Sequence, residues 1–230
     1  IGGNSISPPN DPGLDEMRAR IATTASRLAD LAEAGYELVV THGNGPQVGN
    51  ILLQNEEARH RAPPMPLDVC VAQSQAQIGY LLQQALQNEF ATRGQPRAVA
   101  SVITQVVVDP DDPAFESPTK PVGPVYEAEQ EVIVKRAKGW SMARDPRGGW
   151  RRLVPSPRPL EIVEKDLIRR LLATGDASVL IAAGGGGIPV VRHRSGYRGV
   201  EAVIDKDLAS AVLAKTIGAE ILLIVTDVPQ

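Results

Sequence analysis

Short apolar runs alternate along this chain with stretches whose apolar residues recur every third or fourth position, and several of the runs end in glycine. Leu14, Met17, Ile21, Ala25, Leu28 and Leu31 lay one apolar face along a helix, and Gly35 stands where a left-handed cap ends it. Residues 36–41 then read as a short buried strand running into His42-Gly43-Asn44-Gly45-Pro46, a turn with two glycines. A second helix is expected from about Asp68, as its cap, to Arg93, with Gly94 as its stop. Val99 to Val108 is rich in β-branched residues and reads as one strand. From about Pro113 to Pro159 proline, glycine and charge dominate, which marks an insertion. Alternation then resumes: a helix over Leu160 to Ala173, a strand over Val179 to Ala183, the run Gly184-Gly185-Gly186-Gly187, a helix from about Asp207 to Thr216, and a strand over Glu220 to Val225.

Strands separated by helices predict a mainly parallel sheet with both faces covered, an α/β/α sandwich in three layers. The expected organisation is one domain over residues 1–230, with 113–159 as a protruding subdomain inserted in it. The chain opens on Ile1-Gly2-Gly3 and closes on Val225-Thr226-Asp227-Val228-Pro229-Gln230 just after an apolar run, which reads as a domain cut at both ends. Hydrophobic residues make up 43% of the 230, ample for one sizeable core. The formal charge of −3 gives no basic surplus of the kind nucleic acid requires. No apolar run reaches the roughly 18 residues of a membrane span. A single cysteine, Cys70, allows no internal disulfide and fits a reducing cytoplasm; its helix favours a buried thiol.

In such sheets ligands bind beyond the carboxyl ends of the strands. Four motifs fall there: Gly2-Gly3-Asn4, Gly43-Asn44-Gly45, the four-glycine run and Thr226-Asp227. Without a Cβ the backbone approaches an anion closely, and N–H groups at a helix start point at phosphate oxygens. The plainer reading of any one glycine pair is a tight turn; three clusters at successive strand ends weaken it. Neither a P-loop nor a dinucleotide-binding fingerprint is present. Asp205-Lys206-Asp207 offers an ammonium between two carboxylates, suited to screening phosphate repulsion; equally, Asp205 caps a helix and Lys206 is solvated. Lys120 lies between Thr119 and Pro121 on the insertion, either as a phosphate clamp or as a solvated loop lysine. His42, His60 and His193 have no metal-ligand spacing, and His42 reads as structural. Arg192, Arg194 and Arg198 read as a solvated loop.

Taken in order, Gly2-Gly3-Asn4, His42-Gly43-Asn44-Gly45-Pro46-Gln47-Val48-Gly49, Pro118-Thr119-Lys120-Pro121, the 182–190 segment around the four glycines and Val203-Ile204-Asp205-Lys206-Asp207 closely resemble the carbamate kinases of the amino-acid kinase superfamily. Ser5 departs from the small apolar residue expected there. The resemblance implies a homodimeric enzyme with an eight-stranded, mainly parallel sheet, moving a phosphoryl group between ATP and carbamate to give ADP and carbamoyl phosphate. It implies that Gly2, Gly3, Asn4, Gly43, Asn44 and Gly45 line the substrate site. Lys120 and Lys206 would be catalytic cations, with Asp207 holding the lysines in place. Gly184, Gly185, Gly186, Gly187, Asp205, Thr226, Asp227 and Val228 would lie on the nucleotide side, with Mg²⁺ bridging the ATP phosphates. It also implies further strands and another lysine beyond residue 230, so residues 1–230 alone are expected to bind ATP weakly. The alternatives are a kinase for a larger acid, such as acetylglutamate or glutamate, and a non-catalytic relative that only binds or dimerises.

Overall fold

The computed structural model describes residues 1–2, 6, 13–137, 139–146, 148–175 and 178–225. Helix α1 spans Leu14–Glu33 and buries Met17, Ile21, Ala25, Ala29 and Ala32, a stripe of small residues that lets it lie close to its neighbour. Leu14, expected on this stripe, is exposed. Gly35 has φ of 94°, as a terminating glycine requires. Strand β1 (Leu38–Val40) leads into helix α2 (Gly45–Ala58), whose first turn is the glycine-rich segment itself. The sequence reading took that segment as a turn alone; Pro46 in the first turn was the signal for a helix start. Helix α3 (Leu67–Thr92) follows, with Pro66 rather than Asp68 at its cap position. Arg93 just beyond it bonds Asp30, Glu33 and Glu89 and so pins α3 to α1.

The expected strand over 99–108 is two strands, β2 (Val99–Ser101) and β3 (Gln105–Val108), in different sheets. After a 3₁₀ turn at Pro113–Phe115 come β4 (Lys120–Tyr126), helix α4 (Glu129–Ala137), β5 (Ser141–Arg144) and β6 (Trp150–Val154). The expected helix start at Leu160 is strand β7 (Pro159–Ile162), paired antiparallel with β3; the register shifts at Leu160, which is exposed while Pro159 and Ile162 are buried. Helix α5 occupies Lys165–Thr174, and β8 is Val179–Ile181. The four glycines form a 3₁₀ turn at Gly184–Gly186 that opens β9 (Ile188–His193). That strand turns back into β10 (Gly196–Gly199), so Arg192 and Arg198 stand on a hairpin rather than a loop. Helix α6 covers Lys206–Ile217. Residues 221–225, expected as a strand, have no strand assignment and are exposed.

Strands β1, β8 and β2 form a parallel sheet in that order. Its middle strand shows why both faces are covered. Val179 and Ile181 pack with Ile21 and Ala25 of α1 and with Ile78 and Leu82 of α3. Leu180, pointing the other way, packs with Ile168 of α5 and with Ala209 and Leu213 of α6. Two apolar layers on opposite faces of one pleated strand give the α/β/α arrangement that the alternation predicts. A second sheet, β10-β9-β3-β7, has β3 parallel to β9 and is antiparallel at its other pairings, a more mixed sheet than expected. A third, β4-β6-β5, is wholly antiparallel and lies within 113–159.

Candidate active site

Each element that ends near the glycine-rich turns is tied to the next by a named contact. Beyond β1, Gly43 N–H donates to the Ile1 carbonyl at 2.9 Å, and Gly2 N–H to Val225 at 3.3 Å. The 1–2 segment therefore lies between the His42–Gly45 turn and residue 225. The Gly185 N–H donates to the His42 carbonyl at 2.6 Å. The Asn44 amide, 3% exposed, donates to Ser74 Oγ at 2.7 Å and lies against Gly185. Thr41 Oγ1 and Ser210 Oγ are 2.7 Å apart, and Ser210 Oγ donates to the Lys206 carbonyl at 2.6 Å. The first turn of α6 is thus fastened to the end of β1.

The four-glycine run is buried where four elements meet. A Cβ on Gly184 would strike His42, one on Gly185 Asn44, one on Gly186 the Ile204 carbonyl, and one on Gly187 Val106. Gly185, Gly186 and Gly187 also have φ of 65°, 88° and 84°. Backbone handedness and space both demand glycine here. Ala183, immediately before them, has φ of 49° and is the non-glycine residue with positive φ among the described residues, a strain of the kind found at ligand sites.

Asp205 resolves one of the two sequence readings of its motif in favour of a cap: its Oδ1 accepts from the N–H groups of Asp207 at 2.9 Å and Leu208 at 3.3 Å. Its other oxygen does something the sequence did not signal. Lys120, 85 residues away on β4, donates Nζ–H to Asp205 Oδ2 at 3.1 Å and approaches the Ile204 carbonyl at 3.5 Å. Burial alone would raise the Asp205 carboxyl, but the Lys120 charge and hydrogen bond, with the two backbone amides, hold it below the usual carboxylate range. The Lys120–Asp205 pair is therefore intact throughout the neutral range. Lys206 Nζ donates to Asp207 Oδ1 at 2.7 Å, so Asp207 orients Lys206. Both ammonium groups remain partly open, with side chains 28% and 26% exposed. Lys120 and Lys206 are thus each steered by a carboxylate of the Asp205-Lys206-Asp207 motif.

Gln47 in the first turn of α2 is 3% exposed, and among the described residues neither its amide oxygen nor its nitrogen has a partner. Nor does Nε2 of His42, which is fully buried. His42 Nδ1 lies 3.1 Å from the Gly43 carbonyl, which only accepts, so the proton sits on Nδ1 and Nε2 is a bare lone pair. Burial lowers its pKa to about 4, against a weak opposing effect of that hydrogen bond, so it is neutral as well as buried. Cys70 is buried, as its helix suggested, and burial raises its thiol pKa. Gly3, Asn4, Thr226, Asp227 and Val228 lie outside the described residues. Sequence reasoning missed Ser74, Gln75 and Ser210 and gave Thr104, part of a segment that resembles the family, no role of its own; these are polar residues inside or beside apolar runs whose buried side chains stitch the turns together. Among the described residues no helix is long and apolar enough to cross a membrane.

Comparison with known proteins agrees with this geometry. The profile of the amino acid kinase family matches residues 1–230. A carbamate kinase of Pyrococcus horikoshii is 48% identical, the match covering 99% of this chain and 73% of that protein. Carbamate kinase 3 of Staphylococcus aureus is 45% identical over 99% of this chain and 72% of its own length. The structure of Giardia lamblia carbamate kinase bound to AMP-PNP superposes with a TM-score of 0.88 at 45% identity, covering 99% of this chain and 72% of that one. The chain belongs to the amino acid kinase family, in its carbamate kinase branch.

Proposed function

We propose that the site exchanges a phosphoryl group between ATP and carbamate, reversibly, giving ADP and carbamoyl phosphate. The observation that carries this reading is that Lys120 bonds Asp205 and Lys206, the next residue, bonds Asp207, at a helix start fastened to the end of β1 beside the glycine turns. In the direction of ATP formation, a β-phosphate oxygen of ADP attacks the phosphorus of carbamoyl phosphate. The P–O bond to the carbamoyl oxygen breaks, and its electron pair leaves on carbamate. No proton has to move in this step, so no strong general base is needed, and catalysis is positioning and charge stabilisation. Two anions must approach each other; Lys120 and Lys206 neutralise the oxygens between them, while Asp205 and Asp207 fix the direction of each ammonium. Mg²⁺ would travel with the nucleotide, held mainly by phosphate oxygens and water, as this ion commonly is.

In this reading 113–159 is a flap that carries Lys120 over the site, and Gly2, Gly3, Asn4, Gly43, Asn44 and Gly45 border the carbamate and the transferred group. The glycine run, Asp205, Thr226, Asp227 and Val228 border the nucleotide. A homodimer is supported by β2, which lies at an edge of its sheet beside exposed Tyr80 and Ile103. A cytoplasmic setting is supported by the single buried thiol, and ATP formation at the end of arginine or agmatine breakdown is the role proposed from the resemblance. A coupled assay with ADP and carbamoyl phosphate tests the reaction, with acetylglutamate and glutamate as alternative acceptors in the ATP-consuming direction. ATP formation from carbamoyl phosphate is the expected result; preferential phosphorylation of the larger acids would overturn it.

A further inference from the structure

Strands β2 and β8 are paired up to Ser101 and Ile181, and their continuations β3 and β9 pair again from Gln105 and Ile188. Residues 102–104 bridge the gap on one strand and residues 182–187 bridge it on the other. The longer side bulges outward as the strained Ala183 and the glycine turn. Such a bulge pulls backbone groups of the shorter side away from their ladder partners, and an unpaired buried amide is costly. Thr104, fully buried, is the last residue of the gap on the shorter side; its carbonyl accepts from Ile188 N–H at 2.9 Å.

Gln75, 2% exposed on α3, fills the gap. Its Oε1 accepts from Thr104 N–H at 2.8 Å; its Nε2 donates to the Gly184 carbonyl at 2.9 Å and to the Thr104 carbonyl at 3.3 Å. A side-chain amide has the donor and acceptor of a peptide group, and here it bonds both sides of the broken ladder at once. Thr104 Oγ1 adds a bond from Ala183 N–H at 3.0 Å, which holds the strained residue itself. One residue earlier on α3, Ser74 receives the Asn44 amide. The same helix turn therefore fixes the four-glycine turn through Gln75 and the His42–Gly45 turn through Ser74.

We infer that Gln75 is a positioning residue: its amide replaces a missing peptide in the ladder and sets the placement of the Gly184–Gly187 turn for phosphoryl transfer. It touches no substrate and acts through Gly184 and Thr104. The inference rests on the phosphotransfer reading, and wild-type protein with no activity in the coupled assay would end that reading rather than this one.

Two variants test it. Gln75→Leu keeps bulk and loses every bond. Its kcat is expected to fall roughly tenfold to a hundredfold, the scale of a small misplacement of reacting groups, with KM for carbamoyl phosphate changed less than threefold, a threshold set by ordinary assay scatter. Gln75→Glu is nearly isosteric. Protonated, it donates to Gly184 and accepts from Thr104; ionised, it sets a carboxylate against two carbonyl oxygens. Burial raises such a carboxyl toward neutrality, so its activity relative to wild type should be highest near pH 5.5 and fall by pH 8.5. Circular dichroism reports folding of both, and the glutamate variant carries the test should Gln75→Leu not fold. A Gln75→Leu enzyme with kcat within threefold of wild type, or a pH-independent ratio for Gln75→Glu, overturns the inference.

Discussion

The 113–159 segment and the turns at the strand ends are held in place by opposite means. In the segment the cations lie on aromatic faces: Lys135 Nζ is 5.0 Å from the Tyr126 ring and 4.8 Å from Trp140, Arg152 is 4.4 Å from Trp140, and Arg136 and Arg144 flank Trp150 at 4.6 and 5.1 Å. Many contacts share the work, and side chains rather than backbone define them. At the strand ends nearly every determinant is backbone or a buried amide, and each glycine meets a different neighbour. The first kind of packing tolerates a lost contact; the second has no slack. The two regions meet along β4, where Gly49 of α2 lies so close to Gly123 that a Cβ would come within 2.8 Å of its Cα. That contact, together with Val122 packed against Val48 and Val71, fixes the height at which Lys120 reaches Asp205.

The sharpest way to expose the difference is Gly186→Ala. The new methyl would meet the Ile204 carbonyl and demand a side chain at φ of 88°. Strain of that kind with overpacking costs about 3–4 kcal/mol. Urea denaturation should show a loss of that size; a loss below about 1 kcal/mol would mean the turn has the slack denied to it here.

Much of this was written in the sequence, though unevenly. The stripe from Met17 to Ala25 and the stops at Gly35 and Gly94 were legible because helix periodicity and positive φ are local properties. The break between β2 and β3 was not: Val99 to Val108 is rich in β-branched residues, and what divides it is the longer 182–187 stretch on the facing strands, with Gln75 of α3 bonding across the gap. The β9–β10 hairpin hid behind arginines that suggested a loop, although Ser195-Gly196 marks its turn. Within the site, the cap at Asp205 was one of two readings of its motif, whereas its pairing with Lys120 spans 85 positions and has no local signature.

A pH experiment separates the regions next. His42 is neutral when folded, with a pKa of about 4 against 6.5 when unfolded. Between those values the unfolded chain binds the extra proton, so the stability from this group is complete above about pH 6.5 and is lost as pH falls toward 4. The whole window amounts to roughly 3 kcal/mol. His42→Asn, whose amide reproduces the bond to Gly43, should flatten that slope. An unchanged slope between pH 6.5 and 4.5 would place the sensitivity elsewhere.

A smaller effect is expected from the other region. Lys135→Met removes the charge from two rings and from Glu56, 3.6 Å away, while keeping the bulk. The loss should be about 1–2 kcal/mol, with kcat close to wild type because Lys120 is held by β4 and the α2 contact. A collapse of kcat without loss of fold would show that the aromatic cluster, and not the Gly49–Gly123 contact, positions Lys120.

In the proposed reaction a steered ammonium neutralises the transferring phosphoryl group, and Lys206 is the cation whose loss should cost most. Its Nζ is partly open and, among the described residues, bonded only to Asp207, so its removal should leave the fold intact. Steady-state kinetics of Lys206→Ala in the coupled ATP-forming assay, with circular dichroism alongside, should show turnover lowered on the order of 10²-fold or more, comparable to the loss of one oxyanion donor. Lys206→Arg should recover little, since a planar guanidinium does not replace a compact point charge. Near-normal turnover in a folded Lys206→Ala would contradict the account and leave Lys206 as a solvated residue at the start of a capped helix.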